Sequence, residues 1–120
     1  MSIVMVADDN PVNRKLARLV LAQAGHELVQ AVDGPTTLRL ARELKPALIV
    51  LDIQLPGMDG MAVARALRAD AATAGVKILA LTSLAMKGDE QRILEAGCDA
   101  YLAKPFRYQD LQDLVQRLLA

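Results

Sequence analysis

Apolar runs of four or five residues alternate along this chain with longer segments whose apolar positions recur at helical spacing. That alternation predicts βα units and a mainly parallel sheet with helices on both faces. The first run, Ile3 to Ala7, ends in Asp8-Asp9. Asn10 is placed to cap a helix beginning near Pro11, a residue suited to a first helical turn. Leu16, Leu19, Val20 and Gln23 continue at helical spacing, and Gly25 stops the helix. A weaker run, Glu27 to Ala31, precedes Asp33, which can cap a second helix running to about Leu44 and broken by Lys45-Pro46. The run Ala47 to Leu51 is apolar at every position, as expected of a strand covered on both faces, and Asp52 follows it. Pro56-Gly57-Met58-Asp59-Gly60 reads as a turn before a third helix, about Met61 to Ala69. Lys77 to Leu81 forms a fourth strand and Thr82 follows. A fourth helix is predicted between Ala85 and Ala96, with Gly97 as its terminator. A short strand, Ala100 to Ala103, then leads into Lys104-Pro105. In the last helix, about Tyr108 to Leu119, Leu111, Leu114, Val115 and Leu118 lie on one stripe.

Five strands and five helices with no linker, repeat or low-complexity segment predict one domain over residues 1–120, doubly wound by right-handed crossovers. At 53% hydrophobic the chain can bury an aliphatic core without disulfides. Its 14 basic and 14 acidic residues balance, which gives no basic field for nucleic acid or an anionic membrane. One cysteine, Cys98, excludes an internal disulfide and fits a reducing, cytoplasmic compartment. No charged-then-apolar leader precedes the first strand, so no signal peptide is expected, and no apolar run approaches the length of a membrane span.

The polar residues that end these runs carry the chemistry. Strand C-termini in a parallel sheet converge on one edge, where ligands bind. Asp8, Asp9, Asp52, Thr82 and Lys104 are therefore delivered to a common place. Two carboxylates about 5 Å apart repel by about 3 kcal/mol at an effective dielectric near 20. A divalent cation removes that conflict. The donors are oxygens only, with no Cys or His positioned to help, which favours Mg²⁺ over zinc. Asp52, at the end of the central strand, is the best-fixed nucleophile. Asp8 and Asp9 can hold the metal, Lys104 supplies a point charge for phosphoryl oxygens, and Thr82 supplies a hydroxyl. Such a set suits phosphoryl transfer, which needs mainly positioning and charge stabilisation. Its product is an acyl phosphate on Asp52.

The set Asp8-Asp9, Asp52, Thr82 and Lys104-Pro105 resembles the response-regulator receiver domain of two-component signalling, over the whole chain. The resemblance implies a flavodoxin- or CheY-like (βα)₅ sandwich with strand order 2-1-3-4-5. It implies Asp52 as phosphoacceptor, Asp8 and Asp9 as the acidic metal pair, Thr82 as switch hydroxyl and Lys104 as the phosphate-contacting lysine. It also implies a metal contact from the backbone carbonyl of Gln54, an aromatic switch at Tyr101 and a cis bond before Pro105. The implied partners are a histidine kinase or phosphotransfer protein as donor. A downstream protein would be reached through the surface of the fourth helix, fifth strand and fifth helix. Ala85 to Glu90 and Gly97 to Tyr101 are similar to DivK-type single-domain regulators. Those two stretches also resemble receivers attached to hybrid histidine kinases, as does Asp9-Asn10-Pro11-Val12-Asn13-Arg14, so a stand-alone regulator and a hybrid-kinase receiver in a phosphorelay both stay open. With no output domain in the sequence, signalling is expected to pass through protein contact.

Simpler roles stand beside these. Asp9 can help cap the first helix, Cys98 suits a small packing site, His26 suits a surface turn and Tyr101 could be an ordinary strand aromatic. Met58, Met61 and Met86 suit packing or surface contact. Lys87, Asp89, Glu90, Arg92 and Glu95 could form a solvated helix face, although Met86 and Lys87 suit a partner surface. An aspartyl-phosphate phosphatase of the haloacid-dehalogenase kind would carry a second Asp two residues after the nucleophile, where this chain has Gln54. A nucleotide hydrolase would need a Gly-x-x-x-x-Gly-Lys-Ser/Thr loop, which the sequence lacks. A degenerate receiver that is never phosphorylated would not be expected to keep the full set. The chain is thus expected to be a phosphoacceptor rather than an enzyme, with Gln54 and Leu84 flanking the path of an attacking water.

Overall fold

The computed structural model of the protein describes residues 2–83 and 88–120. Its elements run β1 (Ile3–Ala7), α1 (Pro11–Gln23), β2 (Glu27–Ala31), α2 (Gly34–Leu44), β3 (Leu48–Asp52), α3 (Gly60–Ala69), β4 (Lys77–Thr82), α4 (Asp89–Glu95), β5 (Ala100–Ala103) and α5 (Tyr108–Leu119). The five strands form one parallel sheet in the order β2-β1-β3-β4-β5. This is the doubly wound architecture expected from the hydropathy pattern, with the strand order that the family resemblance implies.

Alternation along the strands splits the core into two layers. Met5, Ala7, Ile49, Leu51, Ile78 and Ala80 face the layer built with Ala41, Val63, Leu67 and Ile93 of α2, α3 and α4. Val4, Val6, Leu48, Val50, Leu79 and Leu81 face the layer built with Ala17, Val20 and Leu21 of α1 and with Leu111 and Val115 of α5. Every residue of β3 is buried, in keeping with its place at the centre.

Caps sit where the side chains predict. The Asn10 side chain accepts from the Val12 amide at 2.9 Å, and Asp33 accepts from the Thr36 amide at 2.7 Å. That bond holds the Asp33 carboxyl below the ordinary carboxylate range.

Three expectations need adjustment. Leu19 is 51% exposed and does not belong to the inward stripe of α1. The helix packs through Ala17, Val20 and Leu21, and Leu19 lies about 200° around the helix from Ala17. The third strand starts at Leu48 and includes Asp52, because Asp52 pairs with Leu81 and the Ile53 amide still donates to the Leu81 carbonyl at 2.9 Å. The fourth strand likewise extends through Thr82. The predicted fourth helix is seen from Asp89 to Glu95, whereas the stretch containing Leu84, Ala85, Met86 and Lys87 lies outside the described residues.

At the opposite end of the sheet from the strand C-termini, Arg68 of α3 ties several segments together. Its Nε donates to the Gly97 carbonyl at 2.9 Å and its Nη1 to the Ala74 carbonyl at 2.8 Å and to the Val76 carbonyl. Its Nη2 donates to Asp99 Oδ2 at 2.8 Å, the same oxygen that accepts from the Ile78 amide at 2.8 Å. Gly97 has φ +115°, and a Cβ there would sit 2.6 Å from Arg68 Cγ, so both the turn and the close approach require glycine. Cys98, next along, is buried, and burial pushes its thiol up to about 11, which suits the packing role.

Candidate functional site

Four strand ends and the loops that leave them build the site. β1 delivers Asp8, wholly buried, and then Asp9, which is exposed. β3 delivers Asp52, 2% exposed. Oxygen atoms of the Asp8, Asp9 and Asp52 carboxylates all lie within 4.8 Å of one another. Lys104, just past β5, brings Nζ to 3.2 Å from Asp52 Oδ2 and 3.6 Å from Asp8 Oδ2. Four of the expected groups therefore share one pocket. Thr82, buried, ends β4 one register step beyond Leu81, the partner of Asp52. Its carbonyl accepts from the Lys104 amide at 2.7 Å, which fixes the lysine beside the site. The Lys104–Pro105 peptide is cis.

Backbone donors orient the carboxylates. Asp52 Oδ1 accepts from the Gln54 amide at 3.0 Å, and Asp8 Oδ1 accepts from the Asn10 amide at 2.9 Å. Each is a charge-assisted bond that holds an anion in a fixed direction. Gln54 thus lies in the turn against Asp52, where its carbonyl was expected to serve a metal. Asp8 Oδ2 is buried without a hydrogen-bond donor among the described residues. Burial raises the Asp8 pKa above its ordinary value; the Asn10 amide lowers it, the neighbouring Asp52 raises it, and Lys104 and the Asn13 side chain lower it. One ammonium does not balance three carboxylates. A buried orphan oxygen in an all-oxygen cluster of this charge fits Mg²⁺, which takes one or two carboxylates and keeps room for other oxygens. Asp8, Asp9 and Asp52 are the residues that could hold it.

The approach of α3 sets the position of Asp52. The Gly60 amide donates to the Ile53 carbonyl at 2.9 Å. A Cβ on Gly60 would sit 2.5 Å from Ile53 Cα and 2.7 Å from the Asp52 carbonyl oxygen. The role of Gly60 is therefore close approach to the strand end, beyond the turn that the sequence predicted.

Tyr101, in β5, is half-buried and packs against the layer of α2, α3 and α4. Its phenol hydrogen-bonds Glu90 of α4, which raises its pKa above the ordinary value. His26 precedes β2, at the end of the sheet away from the acidic cluster. Sequence reasoning gave no role to Asn13 and Arg14. Asn13 hydrogen-bonds the Asp8 carboxylate, and Arg14 Nη1 donates to the Asp8 carbonyl at 2.9 Å. Their signal was present: both lie in the first turn of a helix that starts two residues after the acidic pair.

Residues 4–116 match the family described as the response regulator receiver domain. The chain is 43% identical over 102 residues to the polar-differentiation response regulator DivK of Brucella anthropi, an alignment covering 85% of this chain and 83% of that protein. The fold is similar to that of the chemotaxis response regulator CheY4 of Vibrio cholerae (TM-score 0.93, 29% identity, 99% of each chain). It is also similar to the receiver domain of a sensor histidine kinase of Pseudomonas aeruginosa, whose structure has a magnesium ion coordinated in the active site cleft. That match has a TM-score of 0.89 and 35% identity, over 98% of this chain and 97% of the other.

Proposed function

This chain belongs to the response regulator receiver domain family, and from that premise we propose that Asp52 accepts a phosphoryl group from a histidine kinase or a histidine phosphotransfer protein. The observation that carries the reading is the setting of Asp52. It is buried, gripped through one oxygen by the Gln54 amide at 3.0 Å and through the other by Lys104 at 3.2 Å, with two more carboxylates within 4.8 Å. In the transfer, an Asp52 carboxylate oxygen bonds to phosphorus while the phosphorus–nitrogen bond of the donor phosphohistidine breaks. The electron pair of that bond stays on the leaving imidazole.

Each neighbour has a part in this. Lys104 moves its ammonium between the Asp52 carboxylate and an equatorial phosphoryl oxygen, offsetting charge where it develops. Thr82 offers its hydroxyl to another such oxygen. Asp8, Asp9, Asp52 and the Gln54 carbonyl would hold Mg²⁺, which when bound would offset the carboxylate charge and supply a Lewis acid for phosphoryl oxygens. The acidic cluster and the orphan oxygen of Asp8 support that assignment.

Beside the pocket, the outer face of α1 exposes Val12 (71%) and Leu19 (51%) seven residues apart, on one stripe. Such a stripe suits an apolar helix face of the phosphodonor. Output runs through α4, β5 and α5: Thr82 turns toward the phosphoryl group, Tyr101 moves inward from Glu90, and the population of partner-binding states shifts. The chain acts as a cytoplasmic phosphoacceptor rather than as an enzyme with a separate substrate, a single domain over residues 1–120. Among the described residues no helix is long and apolar enough to cross a membrane.

Incubation with acetyl phosphate and Mg²⁺, followed by intact mass measurement, tests the proposal. The expected result is one phosphate adduct that is absent in Asp52→Asn and absent without Mg²⁺. An adduct that persists in Asp52→Asn refutes it, and sustained release of phosphate from many esters would place the protein among the phosphatases instead.

A further inference from the structure

The start of α1 holds Asp8 through side chain and main chain alike. The Asn10 amide and the Asn13 side chain bond its carboxylate, and Arg14 Nη1 donates to its carbonyl at 2.9 Å. The last of these bonds touches the peptide that joins Asp8 to Asp9, not the acidic cluster. That unit is planar, so the Asp8 oxygen, once held, also fixes the nitrogen from which Asp9 hangs. On the other side of the same residue, the Asp8 amide donates to the Ala31 carbonyl at 3.1 Å. Asp9 itself is exposed, with a carboxylate oxygen within 4.8 Å of those of Asp8 and Asp52. Several rotamers are open to an exposed side chain, so its aim depends on the backbone beneath it.

Arg14 acts on a bound Mg²⁺ in two ways, and they have opposite signs. Its positive charge repels a divalent cation. Its hydrogen bond holds a ligand in place for an ion that demands near-octahedral geometry. The guanidinium is half-buried, so solvent screens the repulsion. The hydrogen bond is local and charge-assisted, and screening does not reach it.

Resting on the assignment of Mg²⁺ to this cluster, we infer that Arg14 is a positioning residue of the metal site: through the Asp8 carbonyl it fixes the Asp8–Asp9 peptide and so aims the Asp9 carboxylate at the ion. A cation beside the acidic cluster thus strengthens cation binding. The first turn of the helix and the end of β1 form one unit, in which the buried aspartate is bonded directly and the exposed one is steered through its backbone.

The test is urea unfolding of the full chain in chelator and across a series of Mg²⁺ concentrations, with no phosphodonor present. The chelator midpoint reports the fold, and the rise above it reports Mg²⁺ affinity. Arg14→Met keeps the apolar stem and removes charge and donors; its Kd for Mg²⁺ is expected to rise about three- to tenfold, the effect of one hydrogen bond. Arg14→Lys keeps the charge and one donor on a long stem and should recover most of that loss. Arg14→Gln, neutral and too short to reach the Asp8 carbonyl, should bind Mg²⁺ as weakly as Arg14→Met and repeats the comparison on a polar side chain that favours helix. An unchanged or lower Kd in Arg14→Met and Arg14→Gln, the outcome of charge alone, overturns the inference. So does a loss confined to the chelator midpoint, which would make Arg14 a purely structural residue, or a Kd in Arg14→Lys as high as in Arg14→Met. No phosphoryl group takes part, so any of these results leaves the phosphoacceptor reading standing. A parent protein that Mg²⁺ does not stabilise is a different result: it refutes the metal assignment, and the inference falls with it.

Discussion

Asp8→Asn should make the Mg²⁺-free protein more stable, although it alters a wholly buried residue at the centre of the site. Burial of the anion is the largest cost there, and the Asp52 carboxylate, within 4.8 Å, adds a repulsion of about 3.5 kcal/mol at an effective dielectric near 20. Lys104, 3.6 Å away, returns about 4.6 kcal/mol. That attraction roughly cancels the repulsion from Asp52, so desolvation of the buried anion decides the balance against the ionised form. Asparagine keeps an oxygen for the Asn10 amide, which donates to Asp8 at 2.9 Å, and Lys104 keeps its contact with Asp52 at 3.2 Å. The expected gain at pH 7 is about 1–3 kcal/mol, or about 4 °C in Tm for each kcal/mol in a chain of this size.

The pH dependence has a definite sign. The Asp8 pKa is raised in the folded protein above its ordinary value, chiefly by burial. The stability contributed by its neutral form is therefore complete below that value and is lost as pH rises through the folded pKa. The gap between variant and unsubstituted protein should be widest near neutrality and should close toward pH 4. Urea unfolding across this range, with chelator and then with Mg²⁺, measures both effects; Mg²⁺ should stabilise the unsubstituted protein more than the variant. A variant no more stable than the parent at pH 7 in chelator, or a gap that persists on acidification, would refute the electrostatic account.

Two further substitutions probe the frame. Gly60→Ala should cost about 1–3 kcal/mol and slow labelling of Asp52, because its Cβ must displace backbone that lies 2.5 Å away at Ile53; unchanged unfolding midpoint and labelling rate would count against the close approach. Arg68→Ala should cost about 2–4 kcal/mol by leaving the Gly97, Ala74 and Val76 carbonyls and Asp99 without their shared donor. Arg68→Lys should not restore the loss, since one ammonium cannot reproduce the guanidinium fork, and full recovery of the urea midpoint in that variant would refute the reasoning.

The sequence made Asp8, Asp9, Asp52, Thr82 and Lys104 legible because each closes an apolar run, and a parallel sheet brings such ends to one edge. The cap at Asn10 and the stop at Gly25 were legible for the same reason: they depend on neighbours in the chain. Gly60, Arg68 and Ser83 were not. The contacts of Arg68 reach 29 and 31 residues along the chain, and the Ser83–Gln54 bond joins residues 29 apart. No local pattern encodes such distances. Leu19 misled because helical spacing marks several stripes, and only packing through small Ala17 selects the one that faces the sheet. Strands β3 and β4 proved one residue longer at their C-terminal ends than their apolar runs, because ladder hydrogen bonds continue where hydropathy stops.

Alternation along the strands has an architectural consequence. The apolar layer under α1 and α5 and the layer under α2, α3 and α4 share no side chains, only the peptide wall between them. Substitutions on the two sides should therefore combine almost independently. A lineage can remodel one half of such a protein to suit a new upstream enzyme and leave the other half to its existing listener. Tolerance ends at the tips of the strands, where both halves terminate on the same few carboxylates and neither can be revised alone.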